Sequence, residues 1–64
     1  MLNRNLLKST WVKEGLKQKD VANILGISPE SLTRKLRSGI FKTDEAAVLI
    51  KALKIENPVE IFFG

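Results

Sequence analysis

The sequence predicts an all-α fold, a compact five-helix domain spanning residues 1–64. Three observations predict it. Apolar residues recur at three- and four-residue steps along the whole chain, and no segment sustains the alternation of a strand. Glycines, prolines and capping residues fall between these stretches, where helices stop and start. With 64 residues, 44% of them hydrophobic, the chain has the composition of a folded domain with one small core. There are no repeats, no low-complexity runs and no linker long enough to divide it.

The first helix is expected from about Asn3 to Glu14, with Leu7 and Trp11 on one face and Gly15 placed to end it. A second covers Gln18 to Leu25 and buries Val21, Ala22 and Leu25 as one stripe, stopped by Gly26. The third begins at Ser28, which can cap free backbone N–H groups, with Pro29 at the first helical position, where its missing donor costs nothing. Leu32 and Leu36 are its only large apolar residues. After the loop SGIFK, Thr43 is placed to cap a fourth helix, whose Asp44 and Glu45 suit the positive end of its dipole. Ala46, Leu49, Ile50 and Leu53 give that helix the clearest core stripe in the chain. The last segment opens with Asn57 as cap, Pro58 next and Glu60 three after the cap, a capping-box arrangement. It ends in Ile61, Phe62 and Phe63.

Composition excludes several classes of function. The chain has no Cys and no His, which removes disulfides, the usual zinc ligands and the commonest general base. With carboxylates scattered over separate helices, no nucleophile and base are placed together, so no catalytic site, cofactor, metal or small-molecule substrate is expected. No apolar run approaches a membrane span and the charged N-terminus does not read as a signal peptide, which implies a cytoplasmic protein. Eleven Lys and Arg against seven Asp and Glu leave a net charge of +4. Residues 17–42 hold six of those basic groups (Lys17, Lys19, Arg34, Lys35, Arg37 and Lys42) against Asp20 and Glu30, while the remainder of the chain balances. The excess positive charge is therefore concentrated where a polyanion would be met, although a solvated basic surface would carry the same count.

At 100° per residue, burying Leu32 and Leu36 turns Arg34 away from the core, with Glu30 and Arg37 flanking it and Thr33 at the edge. A polar helix pinned on its opposite side, and preceded by another helix across a short Gly-containing turn, is the form that helix-turn-helix proteins insert in the major groove. Residues 18–39, QKDVANILGISPESLTRKLRSG, closely resemble that motif. Gln18 stands at its start, Ala22 where the helices must approach and Gly26 in the turn, with Val21, Leu25, Ile27 and Leu32 at packing positions. The five-helix plan is similar to the phage repressor and Cro-like family, that is, a lambda-repressor-like DNA-binding domain, over nearly the whole chain. One departure is Lys35, where many members carry an apolar residue, with Leu36 packing one step later.

The resemblance implies that Pro29, Glu30, Thr33 and Arg34 meet base edges of double-stranded DNA, that Gln18 meets a phosphate, and that Ser28 belongs to the same DNA-binding surface. Arg37 and Lys42, with Lys17 and Lys19, are candidate phosphate contacts. Independently of any family, Arg34 can donate two parallel bonds to guanine and Glu30 can accept from cytosine, each worth about 1 to 3 kcal/mol of discrimination. Pro29 could at most touch a thymine methyl. The competing reading of Glu30 and Arg34 is an i, i+4 ion pair on a solvated face, worth about 0.2 to 0.5 kcal/mol. A single module has a small footprint, so a homodimer is expected at least on DNA, formed through Ile61, Phe62 and Phe63; the competing reading has two of these closing the monomer core. The expected function is a sequence-specific transcriptional regulator acting by operator occupancy. A protein-interaction module on the same fold, such as an antirepressor, is the alternative.

Overall fold

The computed structural model describes residues 2–63. They form five helices in the expected order: α1 (Arg4–Lys13), α2 (Gln18–Leu25), α3 (Pro29–Ser38), α4 (Thr43–Ala52) and α5 (Pro58–Phe62). Among the described residues there is no strand, and no helix is long and apolar enough to cross a membrane.

The helix boundaries follow from local hydrogen-bond chemistry. Asn3 caps α1 by accepting from the Leu6 N–H at 3.0 Å, and Ser28 caps α3 by accepting from the Ser31 N–H at 3.1 Å. Gly26 ends α2 in the left-handed region, at φ +70°, so that the Ile27 N–H reaches back to the Ala22 carbonyl at 3.0 Å. A Cβ at Gly26 would meet nothing within 4 Å, so the backbone angle, and not crowding, is what calls for glycine there. The end of α4 makes the same turn with a residue unsuited to it. Lys54 sits at φ 53° while the Ile55 N–H bonds to the Ile50 carbonyl at 3.0 Å.

Three local expectations are corrected. Thr43 does not cap α4; it is the first helical residue, and Lys42 occupies the cap position in extended geometry. The reason is Glu45, whose carboxylate accepts from the Lys42 N–H at 2.8 Å and so sets the start one residue earlier. Asn57 does precede α5, but it makes no side-chain bond to the backbone there. Its Nδ2 donates instead to Glu60 at 2.9 Å, so the two side chains of the expected capping box satisfy one another. Leu25, the last residue of α2, is only partly buried and packs at the edge of the core.

The core takes Leu7 and Trp11 from α1, Val21 and Ala22 from α2, Leu32 and Leu36 from α3, Leu49 and Leu53 from α4, and Ile61 and Phe62 from α5. Leu2 and Ile55 join it from outside the helices. Removing each large aliphatic side chain from water is worth about 1.5 to 3 kcal/mol. Phe41, from the loop before α4, meets Phe62 edge to face with ring centres 6.2 Å apart. The Asn3 N–H donates to the Ile61 carbonyl at 2.7 Å and ties the start of α1 to α5. Of the three apolar residues at the chain end, Ile61 and Phe62 thus lie inside the monomer, while Phe63 is 76% exposed.

The left-handed turns at Gly26 and Lys54 generate opposite expectations. Lys54→Gly relieves backbone strain and should raise stability by about 0.5 to 1 kcal/mol in urea denaturation, whereas Gly26→Ala should lower it by about 1 kcal/mol. Equal midpoints for wild type and Lys54→Gly would show that the α4 turn carries no strain.

Candidate nucleic-acid interface

The polar face of α3 is built from residues whose side chains the core does not need. Leu32 and Leu36 are buried, and at helical spacing this leaves Glu30, Thr33, Arg34 and Arg37 exposed. Ser28 and Pro29, at the start of the helix, are exposed as well, as are Lys17, Lys19 and Lys42. Every charged group expected at the interface is therefore open to a partner. Ile61 and Phe62, expected at a dimer contact, are closed off within the monomer.

Hydrogen bonds between side chains order part of this face. Gln18, at the first position of α2, donates from Nε2 to Thr33 Oγ1 at 2.7 Å. The Thr33 hydroxyl in turn donates to the Pro29 carbonyl at 3.0 Å. The amide expected to meet a phosphate is thus turned toward α3, where it links the first turn of one helix to the middle of the next. Its second N–H is not used in that bond. A second chain runs along α3 itself: Ser28 Oγ lies 3.0 Å from Ser31 Oγ, and Arg34 Nη2 donates to Ser31 Oγ at 3.1 Å. Arg34 accordingly leans toward the N-terminal end of its helix.

The competing pairing of Glu30 with Arg34 does not form. Among the described residues the one ion pair is Lys35 with Glu45, where Nζ lies 3.1 Å from each carboxylate oxygen. Lys35 is thereby removed from the free charge of α3 and becomes a strut between α3 and the first turn of α4. Its side chain is 24% exposed and that of Glu45 13%, so the pair is shielded more than a surface pair would be. The Glu45 carboxyl is held below its ordinary value of 4.5. The hydrogen bond from the Lys42 backbone N–H is the largest cause; burial opposes it, and the hydrogen bond and charge of Lys35 add to it.

Sequence reasoning passed over Ser31 and the partnership of Lys35 with Glu45. The first had a signal, since Ser28, Ser31 and Arg34 are spaced at three-residue steps on one side of a helix. The second had half of one: Glu45 stands three after Lys42, where a carboxylate completes a helix start, but nothing local joins it to Lys35. Among the described residues no three His, Cys, Asp or Glu side chains gather as metal ligands. A groove of about 450 Å³ is bordered by Ile40, Phe41, Ala47, Ile50, Phe62 and Phe63. Ile40 and Phe63 are its most exposed apolar members, at 70% and 76%.

Comparison of the chain with protein-family models, with curated proteins and with solved structures finds no match.

A carboxyl whose folded pKa is depressed stabilises the fold fully above its unfolded value and loses that contribution as pH falls through the folded one. Glu45→Gln should therefore be less stable than wild type at pH 7, and the gap should close as pH falls below the ordinary carboxyl value of 4.5. Denaturation midpoints of the two proteins measured from neutral pH down through that value check this; a gap independent of pH would mean that the Glu45 charge contributes nothing.

Proposed function

We propose that this protein is a sequence-specific double-stranded DNA-binding regulator that acts by occupying an operator, with α2 and α3 as a helix-turn-helix and α3 in the major groove. The observation that carries the reading is the exposed face of α3. It presents Glu30, Thr33, Arg34 and Arg37 outward from a helix pinned by Leu32 and Leu36. The absence of a Glu30–Arg34 ion pair supports it further, because Arg34 then has guanidinium N–H groups to offer a guanine and Glu30 has carboxylate oxygens to offer a cytosine. Arg37, Lys42, Lys17 and Lys19 supply attraction to phosphates from the surrounding surface. The mechanism involves no chemical step, and cytoplasmic action on DNA fits this reading.

The described chain measures 25 × 24 × 20 Å, less than the roughly 34 to 36 Å between successive major-groove sites on one face of a duplex. One copy thus addresses one groove, and a homodimer on DNA presents two reading helices. Phe63 beside the apolar groove supports pairing of copies at that end. The same groove favours a second reading, in which the partner is another protein, as for an antirepressor. Gel-shift titration over a range of salt separates the two: a DNA reader shifts duplex at low salt, and a module with a protein partner alone does not.

On a preferred duplex, Arg34→Ala should cost about 1 to 3 kcal/mol and flatten sequence preference. Equal weakening on preferred and random duplexes would make Arg34 a phosphate ligand. Lys42→Ala should weaken binding to all duplexes alike and reduce the slope of log K against log salt by about 1. An unchanged slope removes Lys42 from the interface.

A further inference from the structure

Thr33 stands on the exposed face of α3, yet its hydroxyl is engaged on both sides. It gives its hydrogen to the Pro29 carbonyl at 3.0 Å and receives one from Gln18 Nε2 at 2.7 Å. A threonine hydroxyl has a single hydrogen to donate, so Thr33 cannot donate to a base edge without breaking the bond into its own helix. One acceptor lone pair remains. With Oγ1 drawn back against the backbone of α3 and the side chain of α2, the γ-methyl is the group left for the exposed side chain to present.

Resting on the DNA-reading proposal, we propose that Thr33 determines specificity as an apolar contact, its γ-methyl recognising the 5-methyl group of a thymine. The major-groove edges of the other three bases carry only polar groups and aromatic C–H, and thymine alone adds a methyl. Arg34 follows Thr33 in the chain and Glu30 lies three residues before it, so one helix face combines two polar readers with one apolar reader. Pro29, the other candidate for such a contact, is exposed at the start of the same helix, and the Thr33→Ser variant tells the two apart because it leaves Pro29 in place.

The test uses the full chain and a duplex enriched from a random pool, with each thymine replaced in turn by deoxyuridine, which removes the methyl and nothing else. Wild type should bind about fourfold more weakly when one particular thymine in a half-site is replaced, the effect of about one buried carbon. Thr33→Val keeps a methyl but loses the hydroxyl and with it the bond from Gln18, so its affinity for every duplex should fall while the loss on replacement of that thymine is kept. Thr33→Ser keeps the hydroxyl and loses the methyl, so it should bind both duplexes alike. If deoxyuridine is tolerated at every position, or if Thr33→Ser keeps the loss on replacement that wild type shows, the methyl of Thr33 is not the reader and the inference is overturned while DNA binding stands. Failure to enrich or bind any duplex would overturn the DNA reading, and this inference with it.

Discussion

The constraint on which the rest of the structure depends is the narrow apolar stripe of α3. Only Leu32 and Leu36 are buried from that helix, and two side chains in one line fix a helix against rotation poorly. The surrounding polar contacts supply what the stripe lacks. The left-handed turn at Gly26 sets how α3 leaves α2. Gln18 holds the middle of α3 through Thr33, and Lys35 holds the opposite flank through Glu45. Each polar contact on its own is modest. Together they restrain the two directions in which a helix resting on two leucines could roll.

A helix held in this way can leave its outward face almost entirely to polar groups. The serines at positions 28 and 31 extend that economy, because the residue that caps the helix also begins the chain of contacts reaching Arg34. A long side chain with one orientation already favoured loses less freedom when it meets a partner, and binding then retains more of the interaction energy. On the DNA-reading proposal, the same groups contribute to the fold and to readiness for recognition. Lys35 shows the other side of this division, since its charge, counted with the basic cluster, is spent on holding the helix.

The number and order of the helices, and most of their limits, were legible in the sequence because their punctuation is local. Gly15, Gly26, Ser28 with Pro29, and Asn57 with Pro58 act on their own neighbours, and period-3.6 patterning located the core stripes. What was not legible depends on which elements meet. Gln18 and Thr33 belong to different helices, as do Lys35 and Glu45, and no periodicity relates them. Thr43 is the better capping residue by type, but the Glu45 carboxylate decides the start of α4. Phe62 and Phe63 are chemically alike, and a five-residue helix offers too few turns for spacing to say which one faces inward. A lysine gives no sign in advance that it will occupy a left-handed turn, as Lys54 does.

Most hydrogen bonds in this protein close over three to five residues, so each helix and turn can form without waiting for distant parts of the chain. The bond from the Asn3 N–H to the Ile61 carbonyl is of another kind, since it joins α1 to α5. Chains dominated by local contacts fold fast, and the step that brings remote segments together bears the loop-closure entropy. The Asn3 amide hydrogen is thus a natural reporter of that step. Its exchange with solvent follows the docking of the first helix against the last, while amides within α2 and α3 follow the opening of that helix pair.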